Sequence, residues 1–290
     1  MSINSATFLV LPVVLFIASF FGTTIVSAQT TSLSFFPAQV IQGEPLMIQV
    51  NGNSPALLKR VTFGGKVFGV FKYQNKSTAL IGIDLNKKPG VYEVVAKLSD
   101  GSTIKQAVTV GERKKIEAPL GIPKKLGGDT VKSQNNLVAT LAEENKTLEH
   151  LRTGASAFWA SKFIPPLEQT IITDEYGYSR KTGAYTIPHK GVDYKAKEGT
   201  EVQAINRGVV RVAKTYRNYG KTIVIDHGLG LMSFYLHLSK IKVNEGELVQ
   251  KGQIIGLSGQ TGYANAPHLH FSMRINGISV DPIKFLELFK

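Results

Sequence analysis

The chain has 290 residues, more than one small core needs, which predicts two domains. Its composition, 43% hydrophobic and 19% charged, excludes a disordered polymer, and the absence of cysteine excludes a disulfide framework and any thiolate metal site. The 34 Lys and Arg against 21 Asp and Glu leave a formal charge of +13, which serves solubility or attracts a polyanion such as nucleic acid, anionic membrane or cell wall.

The first element is an export signal. TFLVLPVVLFIASFF, residues 7–21, is one apolar run of signal-core length, short of the roughly 20 residues that span a bilayer. Val26-Ser27-Ala28 resembles a cleavage site, so residues 1–28 are expected to be a signal peptide. The usual positive start is missing from MSINSA. Retention as a membrane anchor is the alternative to cleavage, and the only route to a membrane contact.

Residues 29–111 are expected to be all-β. LMIQV (46–50), VFGVF (67–71), ALIGIDL (79–85), YEVVAKL (92–98) and TIKQAVTV (103–110) are short β-prone runs separated by NGNSP, GG, KKPG and SDG. The pattern suggests a small antiparallel sandwich. KPGVYEVVAKLSDG resembles immunoglobulin-like modules, so an immunoglobulin-like β-sandwich is the expectation. The segment contains no histidine and no catalytic constellation, so a spacer or binding module is its preferred role.

Residues 112–170 read as a basic linker with one helix. ERKKIEAPLGIPKKLGGD mixes Pro, Gly and Lys as an exposed connector does. In SQNNLVATLAEENKTLEHLR, Leu137, Leu141, Leu148 and Leu151 recur at helical spacing, with Ser133 as the expected cap and Gly154 as the stop. His150 on this helix reads as a surface residue. FWASKFIPPLEQ is an irregular apolar segment expected to pack against the next domain.

Residues 171–290 are β-rich with regularly placed glycines that supply positive-φ turns, as in VNEGELVQKGQIIGLSGQTG. A carrier sandwich of the biotinyl/lipoyl type would share this texture, but it needs a modified lysine on a hairpin tip and leaves the histidines unexplained. Four of the six histidines fall here in a pattern: His189 in PHKGVDY, His237 in FYLHL, and His268 and His270 in PHLHF. Strand residues two apart share a face, so His268 and His270 project together, and Tyr235 and His237 are expected to do the same. His189 and Asp193 can face one side across Gly191. His227 in IDHGLG sits at an expected turn and reads as structural.

This residue set suits a metal held by nitrogen and oxygen. A catalytic zinc takes three ligands of the His, Asp or Glu kind and keeps one position open. Imidazoles beside it can move protons or hydrogen-bond a tetrahedral intermediate. The five groups thus divide into three ligands and two helpers.

HKGVDYKAKEGTEV, IVIDHGLG, YLHL and TGYANAPHLHF, in that order, resemble the lysostaphin/LytM family of zinc peptidoglycan endopeptidases. The likeness runs over about residues 173–286 and ends in Val280-Asp281-Pro282. It implies a LytM-type antiparallel β catalytic domain with one Zn2+ per chain, held by His189, Asp193 and His270, and with His268 and His237 assisting catalysis. Where the family often carries F-G-x-R-R, this chain has Tyr176-Gly177-Tyr178-Ser179-Arg180, so of the two arginines only Arg180 is kept. Arg180 and Tyr235 are the candidate substrate-binding residues. The function implied is hydrolysis of peptide cross-links in bacterial peptidoglycan by an exported enzyme of periplasm, cell wall or extracellular space. The partners are peptidoglycan and anionic wall polymers rather than nucleic acid. Relatives that have lost zinc ligands act as non-enzymatic wall-binding activators, which is the alternative reading, but here all five residues are present.

Overall fold

The computed structural model describes residues 31–51 and 57–289. The expected signal peptide and most of the NGNSP turn lie outside them. Among the described residues no helix is long and apolar enough to cross a membrane.

The N-terminal strands are β1 (Ser32–Phe36), β2 (Val40–Ile41), β3 (Pro45–Asn51), β4 (Leu58–Phe63), β5 (Lys66–Phe68), β6 (Val70–Tyr73), β7 (Lys76–Gly82), β8 (Gly90–Leu98) and β9 (Thr103–Gly111). They form two sheets, ordered β1-β3-β7-β6 and β2-β9-β8-β4-β5. Alternation turns Leu46 and Ile48 of β3, Ile81 of β7, Val94 and Ala96 of β8, and Val108 and Val110 of β9 into one core between the layers. The two-layer sandwich is therefore present. The parallel pairing of β2 with β9 departs from the purely antiparallel arrangement expected.

The linker is not a bare connector. Its Glu117–Pro119 segment is strand β10, its Lys124–Leu126 segment is a 3-10 turn, and Ile122 is buried. Helix α1 (Val131–Glu149) starts three residues earlier than expected, because Thr130 rather than Ser133 caps it. The Thr130 hydroxyl accepts from the Ser133 N–H, which places Ser133 at the third helical position. The helix stops at His150, whose exposed ring agrees with a surface role, four residues before Gly154.

The remaining strands are β11 (Ile172–Asp174), β12 (Ser179–Thr182), β13 (Tyr185–Pro188), β14 (Val192–Lys195), β15 (Glu201–Gln203), β16 (Gly208–Tyr216), β17 (Gly220–Gly228), β18 (Leu231–Leu238), β19 (Lys240–Ile241), β20 (Leu248–Val249), β21 (Ile254–Leu257), β22 (His268–Ile275) and β23 (Ile278–Val280). The main sheet runs β11-β14-β22-β18-β17-β16-β20, with β23 also on β22, and all of its pairs are antiparallel. A smaller sheet is β15-β21-β19. A third is β10-β12-β13, in which the linker strand β10 pairs in parallel with β12.

One face of the main sheet carries Tyr194, Tyr235, Phe271 and Met273 into the largest core. FWASKFIPPLEQ feeds that core with Trp159, Phe163 and Leu167, and the sandwich contributes Met47, Tyr73 and Leu80. Trp159 is the hub of edge-to-face aromatic contacts with Phe71, Phe163 and Phe289. The opposite face carries Phe234 and Leu236, against which Leu148 of α1 packs. That face also carries the candidate site. The short helix α2 (Pro282–Glu287) closes the chain, capped by the Asp281 carboxylate and opened by Pro282.

Candidate metal centre and catalytic site

Three elements bring the site together. Asp193 on β14 lies directly opposite His270 on β22, so both side chains leave the same face. His268 precedes His270 by two residues and shares that face. His189 stands on the turn before β14, where its N–H donates to Tyr178 O (2.7 Å) and its carbonyl accepts from Gly177 N (2.8 Å). Gly191 explains its own place between His189 and Asp193: a Cβ there would lie 2.5 Å from His270 Nε2 and 2.4 Å from Ser272 Oγ. Only glycine lets the turn approach β22 so closely.

Hydrogen bonds settle which ring nitrogens face inward. His189 Nδ1–H donates to Glu175 O (2.8 Å), which leaves the lone pair on Nε2. Ser272 Oγ donates to Lys190 O (2.8 Å) and so accepts from His270 Nε2–H (2.9 Å), which leaves the lone pair on His270 Nδ1. These two nitrogens and Asp193 Oδ1 converge at 3.0, 2.7 and 3.2 Å from one another. In neutral histidines no proton lies between them. Three mutually repelling lone pairs held this close form a receptor for a cation, and two imidazoles with a carboxylate are a donor set that suits zinc. His189, Asp193 and His270 are the one metal-capable group of three or more such side chains among the described residues.

Burial and the facing groups shift two members of this set, Asp193 and His270. Burial raises the Asp193 carboxyl, but the facing His189 and His270 rings, which would bond it whenever they carried an inward proton, outweigh burial and keep it well below the carboxylate range. Burial pushes His270 down to about 4 against the pull of Asp193, so the imidazole is neutral at working pH. Arg180 donates to Asp193 Oδ2 (2.7 Å) and to Asp174. Its Nη2 thus braces Asp193, while Arg180 also lines the cavity beside the cluster, as the candidate substrate-binding residue would.

The two expected helpers stand beside these three residues. His237 and His268 ring centroids are 4.9 Å apart, and His237 is 6.0 Å from His270. His237 Nδ1–H donates to Thr261 O (2.9 Å) and His268 Nδ1–H to Ala266 O (2.8 Å), so each keeps a lone pair on Nε2, which in His268 lies 3.8 Å from Asp193 Oδ1. Burial, with repulsion from His268 and His270, holds His237 well below the ordinary histidine value.

Tyr235 is a correction. It does not share a face with His237. Between β17 and β18 a bulge sets Leu236 and His237 against the single Thr222, and His237 takes φ +62°, a left-handed conformation. The bulge swings His237 onto the face of Leu236 and His270. Tyr235 stays in the core, fully buried, where its oxygen accepts from Ile205 N (3.1 Å) and meets Ser233 Oγ (3.1 Å). This placement removes Tyr235 from the substrate-binding set.

His227 lies at the end of strand β17 rather than in a turn, and it is structural. Its Nδ1–H donates to Arg207 O (2.9 Å), its Nε2 meets Ser233 Oγ (2.8 Å), and burial pushes it down to about 4. Two contributors carry weaker signals in the sequence. Ser272 is next in the alternation after His268 and His270, so the same spacing rule reaches it; the Glu175 carbonyl has no sequence signal at all. Beside the cluster a cavity of about 230 Å³ is lined by His189, His237 and His270 on one side and by Leu137, Leu141 and Leu148 of α1 on the other.

Comparison with known proteins agrees with this geometry. Residues 187–282 match the profile of Peptidase family M23. The chain is 39% identical over 121 residues to the DD-carboxypeptidase/endopeptidase Mpg of Neisseria meningitidis, covering 41% of this chain and 28% of that protein. It is 42% identical over 124 residues to lysostaphin of Staphylococcus simulans, covering 39% and 24%. The chain therefore spans about a quarter of the length of these relatives. A Pseudomonas aeruginosa protein, described with its crystal structure as an M23 peptidase, superposes with TM-score 0.64 at 24% identity over 86% of this chain and 95% of its own. That likeness is one of fold, and its reach takes in sandwich strands as well as the C-terminal sheets. Carrying the inward-facing donor set of His189, Asp193 and His270, residues 187–282 of this chain are a peptidase family M23 domain.

Proposed function

We propose that this chain is an exported zinc-dependent endopeptidase that hydrolyses peptide cross-links of bacterial peptidoglycan. One observation carries the reading: His189 Nε2, Asp193 Oδ1 and His270 Nδ1 converge while His237 and His268, each bonded to a carbonyl through Nδ1, stand beside them. His189, Asp193 and His270 would hold the ion. The chemistry zinc supplies there is Lewis-acid polarisation of a carbonyl and activation of a water nucleophile.

The chain's own residues do the rest. Neutral His237, fixed by Thr261 O, accepts a proton at Nε2 or hydrogen-bonds the developing oxyanion once protonated. His268, anchored on Ala266 O, has the same capacity on the more open side, its side chain being 18% exposed. Arg180 and Ser272 hold Asp193 and His270 in register through the cycle. The N-terminal sandwich, expected to be immunoglobulin-like, serves as a spacer or binding module.

Purified protein incubated with cell walls of several peptide chemistries, followed by mass spectrometry of the soluble fragments, tests the activity. New amino and carboxyl ends in the cross-linking peptides are expected. Wall binding without any such ends would support the non-enzymatic activator instead. The partners proposed are peptidoglycan and its anionic polymers. With a charge of +13 and exposed linker lysines such as Lys114, Lys115 and Lys124, sedimentation with wall material should weaken as salt rises. Binding that is equal at low salt and at about 0.5 M, several times the ionic strength at which surface charges are largely screened, would reduce the basic excess to solubility.

A further inference from the structure

The turn that holds His189 is itself held by the N-terminal sandwich. Residues 175–178 touch His189 three times: Glu175 O takes its Nδ1–H, Tyr178 O takes its N–H, and Gly177 N donates to its carbonyl. Between them sits Tyr176, 3% exposed, whose ring fixes the turn. Its hydroxyl donates to Ser279 O (2.8 Å), and the Arg113 guanidinium lies over its ring at 5.1 Å. The ring also presses on Gly43 of the sandwich, where a Cβ would lie 2.4 Å from Tyr176 Cε1. Gly43 has φ +80°, so its backbone too favours glycine.

Arg113 ties the same parts together. Its Nε donates to Gln42 O (2.7 Å) and its N–H to Gln42 Oε1 (3.0 Å), both in the sandwich. Its Nη2 donates to Asp281 Oδ2 (3.1 Å), and both side chains of that ion pair are largely buried. Asp281 N in turn donates to Gly43 O (2.7 Å). A buried guanidinium that meets a backbone carbonyl, a carboxylate and an aromatic face has little freedom to move.

We infer that Gly43, Arg113 and Tyr176 are positioning residues for the metal site, through which the N-terminal sandwich sets the ring orientation of His189. The inference rests on the zinc reading proposed above. Outer-shell partners that fix a ligand's tautomer and ring plane tune metal affinity by about 10–100-fold. Here the partner is the Glu175 carbonyl, and its place depends on Tyr176. The sandwich is then part of the metal centre rather than a passenger beside it.

The test is zinc affinity of the full chain, measured by competition with a chromophoric chelator, alongside denaturant unfolding of the metal-free protein. Arg113→Ala and Gly43→Val should each weaken zinc by about tenfold, the low end of the outer-shell range. Tyr176→Ala should do so too, and Tyr176→Phe, which keeps the ring between Arg113 and Gly43, should restore most of the affinity. Arg113→Lys keeps the charge without the fork and should fall in between. Phe71→Ala removes a sandwich contact to Trp159 away from the turn and is the control for general loosening. It should lower stability and leave zinc affinity unchanged. Wild-type affinity in Arg113→Ala and Gly43→Val would overturn the inference, as would an equal loss in Phe71→Ala. Should Gly43→Val not fold, the Tyr176→Ala and Tyr176→Phe pair decides by the same reading. Failure of the wild type to take up stoichiometric zinc would instead remove the metal reading on which all this stands.

Discussion

His189→Ala is expected to lose zinc and hydrolysis together. Its Nε2 is one of three converging donors, and no fourth His, Cys, Asp or Glu side chain among the described residues joins the group. Two protein ligands do not make a catalytic zinc site. The Lewis-acid contribution to a carbonyl reaction is worth several kcal/mol, so the rate should fall by about 10³-fold or more. Asp193→Ala should behave alike, with Arg180 left to pair only with Asp174. Ser272→Ala should be milder, because it removes the acceptor of His270 Nε2–H and the donor to Lys190 O but none of the three converging atoms, and about 10–100-fold in affinity is the expected loss. Elemental analysis of each variant beside its rate on a soluble cross-linked peptide checks the series. Stoichiometric zinc in a His270→Ala, Asp193→Ala double variant would place the metal elsewhere.

The metal site is the most legible part of the chain because regular strands report their faces. His268 and His270 can be put on one face from spacing alone, since β22 keeps its alternation through Ile275. His189 and Asp193 are legible through Gly191, whose missing Cβ lets the turn meet β22. The same rule fails for Tyr235 and His237. It presumes an unbroken pleat, and the bulge against Thr222 breaks the pleat between them. Local composition also hides β10. Its Glu, Ala and Pro have poor strand propensity, and its partner β12 lies some sixty residues on, so long-range pairing overrides the local signal. Thr130 and Ser133 are both chemically able to cap α1, and only the geometry of the turn chooses between them. The clamp on His189 is least legible. Gln42, Gly43, Arg113 and Tyr176 share no motif and meet only after two sheets and the linker have folded around one another.

Ligand and helper should separate when His237 and His268 are replaced. His237→Ala and His268→Ala are expected to keep zinc, since the three converging donors remain intact in both. Hydrolysis should fall by about 10²–10⁴-fold in each, the range for a lost general acid–base group or oxyanion partner. The two differ in what they do to the fold. His268 is the more exposed, and its Nδ1–H bonds Ala266 only two residues away, so its loss should leave stability nearly unchanged. His237 is buried and its Nδ1–H ties β18 to the Thr261 carbonyl, so its removal leaves that acceptor unpaired and should cost about 1–3 kcal/mol. It also sits at φ +62°, where glycine is easier than alanine. His237→Gly should therefore be the more stable of the two substitutions while staying equally inactive. Rates on a soluble peptide, zinc content and denaturant midpoints measured for His237→Ala, His237→Gly and His268→Ala give the comparison. Near-wild-type rates in both alanine variants would strip these histidines of a catalytic role. Zinc loss matching that of His189→Ala would make them ligands, and the division into three donors and two helpers would have to be redrawn.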